Sequence, residues 1–282
     1  MLQICFFLTG SETMKTGRRY EKEDRLSDLP DCILLYILSF LNTKQVIQTC
    51  ILSIRCKNLP TCRWNNLWKR LSTLRLSGPL KSFKGPSKLV SGILSLRNDS
   101  TALYTLEFIC DQEYNWWIRN AQVLCISSFT LVNLTIYCYS YYLSYKLSAL
   151  SICNFAFTGS PNRKLYGSHL SCVKHLYINT NMVSSGRTEK DSLVLLNWLL
   201  EFANITSLTI SYSTLQVLSL VPNLFKVKLT TLCNVESLAV KRDGHLLYMA
   251  LVGQRTSILD GVLDFLLQNS PSAKLVVPGL LE

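Results

Sequence analysis

Two periodicities divide this chain. Between residues 24 and 53 apolar side chains recur every three to four positions. Ile33, Leu34, Ile37, Leu38 and Leu41 mark one helix, with Pro30 suited to its first position and Asp28 as a cap. Asn42-Thr43 interrupts the run and caps a second helix, on which Val46, Ile47, Cys50 and Ile51 share a face. From residue 73 the pattern shortens. Thr73–Leu76 and Ala102–Phe108 alternate as strands do, and Phe83–Leu96 between them reads as a helix. A phrase of the form Leu-x-x-Leu-x-Leu then returns seven times, beginning at Leu131, Leu147, Val173, Ile205, Leu215, Leu224 and Val235. The starts at 131, 147, 173, 205 and 235 predict parallel strands of stacked repeats, while those at 215 and 224 fit either a strand or a connection. Asp191–Phe202 predicts a helix between strands, with Val194, Leu195, Trp198, Leu199 and Phe202 inward. The stretch 110–165 is the least regular, 181–192 reads as an exposed loop, and 241–261 as a surface excursion.

Composition supports a packed chain. Apolar residues make up 48% of 282 positions and charged residues 17%, which favours a core over disorder. The net charge of +11 is uneven: residues 1–100 hold 16 Lys/Arg against 7 Asp/Glu, and the remainder 13 against 11. Such basic clusters suit acidic protein surfaces or a nuclear-import signal as well as nucleic acid, and no nucleic-acid-binding motif accompanies them. Eleven cysteines occur without a Cys-x-x-Cys pair, and the odd count points to free thiols in a reducing compartment, the cytosol or nucleus. His169, His175 and His245 show no metal-ligand spacing. Residues 1–9 are apolar but too short for a membrane span and lack the basic lead of a signal peptide. No catalytic constellation stands out, and no cofactor motif is present.

The helical segment resembles the F-box. Asp24, Arg25, Leu26, Ser27, Leu29, Pro30, Asp31, Leu34, Ile37, Leu38, Ser39, Phe40, Leu41, Thr43 and Lys44 follow the plant F-box pattern. The resemblance implies docking on a Skp-type adaptor, and through it on a cullin, in an SCF ubiquitin ligase. Leu29, Pro30, Ile33, Leu34, Ile37, Leu41, Val46 and Cys50 are the candidate adaptor-binding residues, some of which must instead pack the module. The family's continuation, Leu-Ser-x-Arg-Trp-x-x-Leu-Trp, is split here. Leu52-Ser53-Ile54-Arg55 is followed by Cys56 in place of Trp, and Arg63-Trp64-Asn65-Asn66-Leu67-Trp68 supplies the second half eight residues later. Burial of both aromatics favours Trp64 and Trp68 as the packing residues, with 54–62 inserted between the halves.

Residues from 73 onward resemble the leucine-rich repeats of plant F-box proteins, and VLDFLLQNSPSAKLVV at 262–277 is similar to the end of the FBD module. The resemblance implies a mixed α/β fold: a small helical F-box, then an irregular leucine-rich-repeat solenoid with parallel strands. The expected divisions are a poorly ordered 1–20, an F-box module at 21–72, repeats at 73–260 and an FBD-like helix and strand at 261–282. The expected role is a non-catalytic substrate receptor that holds a target protein near the ligase. A binding scaffold outside any ligase, or a degenerate family member, remains the alternative. Nucleic acid and membrane are not expected partners.

Overall fold

The computed structural model describes residues 29–52, 66–77, 86–97, 101–110, 122–138, 143–149, 151–160, 165–167, 170–180, 189–241 and 256–276. Among the described residues two helices come first, α1 (Asp31–Ser39) and α2 (Thr43–Leu52). Pro30 sits one place ahead of α1 with extended backbone, and its carbonyl accepts from Ile33 and Leu34 N–H at 3.1 Å. It therefore precedes the first helical position that the sequence suggests for it. Asp28, its expected companion, lies outside the described residues. The cap on α2 is reciprocal: Gln45 N–H donates to Asn42 Oδ1 (2.9 Å) and Asn42 N–H donates to Gln45 Oε1 (3.1 Å). A 3-10 turn, Trp68–Arg70, then leads into the first strand.

Among the described residues eleven strands follow, all paired in parallel. Eight form one sheet: β1 (Thr73–Ser77), β2 (Thr105–Cys110), β4 (Asn133–Cys138), β6 (Asn154–Gly159), β8 (His175–Thr180), β9 (Ser207–Ser211), β10 (Ser237–Lys241) and β11 (Lys274–Val276). They lie side by side in chain order, so each connection crosses behind the sheet and returns one strand along. Three more, β3 (Gln122–Ser127), β5 (Leu143–Ser148) and β7 (Leu165–Gly167), make a second parallel sheet from the connections themselves. Elsewhere the connections are helical: α3 (Pro86–Ser95), α4 (Glu189–Glu201), α5 (Tyr212–Leu218) and α6 (Thr256–Gln268).

Register explains this regularity. Leu71, Leu103, Leu131, Ile152, Val173, Ile205 and Val235 are all buried just before successive strands of the large sheet. Three places on, Leu74, Leu106, Leu134, Phe155, Leu176, Leu208 and Leu238 form a buried row across it. The apolar phrase thus begins at 71, 103, 131, 152, 173, 205 and 235. The starts read at 131, 173, 205 and 235 match strands. The start at Leu147 does not: Leu147 belongs to β5 in the second sheet, and the true phrase, Ile152-x-x-Phe155-x-Phe157, carries phenylalanine where leucine was sought. The two ambiguous starts are connections, with Leu215 and Leu218 on α5 and Leu224 on a 3-10 turn.

The spacing of the phrase tracks what lies behind it. Phrases 32 positions apart (71 to 103, and 173 to 205) enclose α3 and α4, whereas those 21 apart (131 to 152, and 152 to 173) enclose β5 and β7. A strand advances about 3.3 Å per residue and a helix 1.5 Å, so a short connection crosses the same depth only when extended. The described parts of the irregular stretch 110–165 are therefore strands of the same sheet backed by strands of the second. Helix α4 begins at Glu189, inside the loop expected over 181–192, and α6 begins at Thr256, inside the excursion expected over 241–261. Residues 181–188 and 242–255 lie outside the described part.

One continuous apolar cluster runs from Leu34 to Leu266. Its centre is aromatic: Trp198 of α4 stands edge-on to Phe157 of β6 (centroids 4.7 Å apart) and to Tyr145 of β5 (6.0 Å). This contact ties both sheets to a helix. Burial there pushes the Tyr145 phenol well above its usual pKa. Gly159 ends β6 at φ +146°, and a Cβ on it would lie 1.7 Å from the Cys138 carbonyl oxygen. Only glycine permits that approach.

Candidate functional site

Helix α1 is apolar on opposite sides. Leu34 and Leu38 are each 1% exposed and point into the cluster, with Leu35 and Leu41 half-buried against it. Ile33, Tyr36, Ile37 and Phe40 follow each other at spacings of three, one and three on the other side. They are 44%, 64%, 40% and 63% exposed. The Tyr36 and Phe40 rings meet edge to face at 4.9 Å, which fixes two large side chains in one patch. A helix apolar all round ordinarily lies between two partners, and here the chain supplies one. The Ser39 hydroxyl donates to the Tyr36 carbonyl (2.7 Å), closing the last turn beneath these rings.

The eight candidate residues separate cleanly. Pro30, Ile33 and Ile37 are exposed together, Leu29 and Leu41 are half-buried at the rim, and Leu34, Val46 and Cys50 are in the interior. These last three pack the module, the second of the two roles the sequence allowed, because their α1 and α2 faces turn toward Trp68 and β1. Tyr36 and Phe40 belong to the exposed patch and are absent from the candidate set. Continuing the helical spacing from Ile33 through Tyr36 and Ile37 to Phe40 is the signal that finds them.

The support under the patch is specific. Trp68, 8% exposed, and Leu67, 1% exposed, cover the inner side of α1 and α2, as the sequence predicts for Trp68. Trp64 and the segment 54–62 lie outside the described residues. Arg70 pairs with Asp31 in the first turn of α1, although both side chains are partly solvated, which limits that pair to a small contribution. Burial pushes the Cys50 thiol up to about 11, partly offset by a hydrogen bond to the Trp68 backbone. Cys50 is therefore a neutral, space-filling thiol at physiological pH.

A second surface is the outer face of the large sheet. Its first row in register reads Thr73, Thr105, Asn133, Asn154, His175, Ser207, Ser237 and Lys274. Asn154 Nδ2 donates to Asn133 Oδ1 (2.5 Å), and Asn133 Nδ2 donates to Thr105 Oγ1 (3.0 Å). The ladder satisfies polar groups between strands. On the next row Arg75 and Glu107 neutralise each other at 3.0 Å. Among the described residues, no three His, Cys, Asp or Glu side chains gather as a metal site. No helix there is long and apolar enough to cross a membrane.

Comparison with known proteins places the first surface. Residues 26–61 match the F-box domain model. Over 97 residues the chain is 33% identical to F-box/LRR-repeat protein 13 of Arabidopsis thaliana, covering 34% of this chain and 20% of that protein. An Arabidopsis F-box/FBD/LRR-repeat protein is 32% identical over 107 residues, 38% of this chain and 22% of the relative. Another is 28% identical over 180 residues, 57% and 39% respectively. The matches thus span between about a fifth and two fifths of these relatives. The exposed patch of α1 lies inside an F-box, and the chain is similar to the plant F-box/LRR-repeat and F-box/FBD/LRR-repeat proteins.

Proposed function

We propose that this chain is a substrate-recognition subunit of an SCF-type ubiquitin ligase. Ile33, Tyr36, Ile37 and Phe40, flanked by Leu29, Pro30 and Leu41, dock a Skp-type adaptor that links to a cullin. The parallel strands act as an irregular leucine-rich-repeat solenoid, and its outer sheet face holds a target protein. The chain then works by proximity: holding target and ligase together raises the effective concentration of target near the conjugating machinery. Such a protein acts in the nucleus or cytoplasm.

The observation that carries this reading is the uncovered apolar side of α1 within the F-box match. Four large side chains exposed at helical spacing suit a groove on a second protein, where aromatic anchors contribute most of the affinity. The test is capture of a purified Skp-type adaptor by the full chain. Capture at micromolar concentration, weakened at least tenfold by Tyr36→Ser with Phe40→Ser, is the expected result. Absence of capture by the unaltered chain removes the ligase reading and leaves a binding scaffold.

A further inference from the structure

The outer face of the sheet carries little net charge over its first six strands. From the neutralised Arg75–Glu107 pair the same row runs on through Thr135, Ala156, Tyr177 and Thr209. Lys241, on the seventh strand, departs from this. Its backbone aligns with Ser211 of β9, yet its ammonium lies 4.9 Å from the centroid of the Tyr177 ring on β8. The side chain therefore lies back across β9 instead of standing off the sheet. Thr209 and Ala239, aligned with Tyr177 on the next two strands, are small enough to let it pass. No carboxylate of the described residues pairs with it. A cation held over an aromatic ring thus stands on a stretch of the face whose neighbouring described strands carry no charge of their own in that row.

We infer that Lys241, held over Tyr177, is the charge-selecting position of the target-binding face and takes a carboxylate from an extended acidic segment of the target. The inference rests on the sheet face being the target surface. The chemistry of the patch favours a carboxylate over a phosphate. One ammonium supplies a point charge, whereas phosphate sites gather guanidinium forks, and among the described residues of these rows the arginine, Arg75, is already paired with Glu107. Nucleic acid would need several cations in line, and the intervening strands present hydroxyls, amides and an alanine.

The test is selection from a displayed random dodecapeptide library on the immobilised full chain. Unaltered protein and Lys241→Arg are expected to enrich Asp or Glu at one position of the recovered peptides. Lys241→Glu is expected to replace those acids with Lys or Arg at that position, a reversal that mere loss of folding cannot produce. Recovery of no peptides, profiles without acids, or the same profile from the Lys241→Glu protein overturns the inference. So does tenfold tighter binding of a phosphoserine version of a recovered peptide, or its displacement by a DNA duplex at equal concentration. Adaptor capture is measured on the same proteins. If capture fails while the preference still follows residue 241, the ligase reading falls and this inference stands. If capture persists and the preference ignores residue 241, only this inference falls.

Discussion

The helical pair and the parallel sheet expose their surfaces in opposite ways. Helix α1 leaves Ile33, Tyr36, Ile37 and Phe40 exposed, with none of the described residues covering them. The large sheet covers its apolar rows with connections and presents amides and hydroxyls that bond to one another, as in the Asn154–Asn133–Thr105 ladder. The first surface is unfavourable until a partner removes it from water, at roughly 25 cal/mol per Å² of apolar area. The second is satisfied as it stands, so a partner there gains through shape and a few placed groups. One chain thus offers a surface suited to tight, generic docking and another suited to selective recognition.

Substitutions sharpen the contrast. The largest effect on stability is expected where both sheets meet α4. Phe157→Ala removes the ring between Tyr145 and Trp198 and should lower urea-unfolding stability by about 3–5 kcal/mol. Next is Gly159→Ala, which drives a methyl group into the Cys138 carbonyl at a positive φ and should cost at least ~2 kcal/mol in the same measurement.

A pH dependence separates the buried side of the helical pair from its exposed one. Cys50 ionises near 9 in the unfolded chain and at about 11 when folded. The folded state holds its proton more tightly, so the contribution is intact below pH 9 and declines as pH rises through about 11. Cys50→Val should flatten that part of the stability curve relative to the parent chain. An equal decline in both proteins would contradict the buried placement.

Smaller still is the outer ladder: Asn133→Ala deprives the Asn154 amide of its acceptor and should cost about 1 kcal/mol. The smallest stability change is expected from Tyr36→Ser with Phe40→Ser, within about 0.5 kcal/mol, because neither ring supports the fold. If that pair destabilised the chain by more than the Asn133 change, the view of α1 as a helix awaiting a second partner would be lost.

Much of this was legible in the residues. The helical spacing around Leu34 and Leu38, the cap at Asn42-Thr43 and the Asp191–Phe202 helix are local patterns, and local hydrogen bonding and side-chain direction follow from them, although Gln45, the reciprocal partner of Asn42, is not among the residues the sequence reading names. The phrases at Leu131, Val173, Ile205 and Val235 marked strands for the same reason: inward residues of a strand alternate. The phrase at Ile152 was hidden because Phe155 and Phe157 replace leucine, and Leu147 nearby offered a false start. In the candidate site, sequence found Pro30, Ile33 and Ile37 but set them beside Leu34, Val46 and Cys50, which share their apolar character and not their exposure.

By itself, then, the sequence determined which residues travel together on one side of a helix or strand, since that depends on spacing alone. Only the tertiary structure decided which apolar side of α1 the chain keeps for itself, that the middle connections become a second sheet, and that Lys241 lies over Tyr177 two strands away. Each of these depends on partners distant in sequence, and burial is settled by what arrives from elsewhere in the chain, a quantity no local pattern contains.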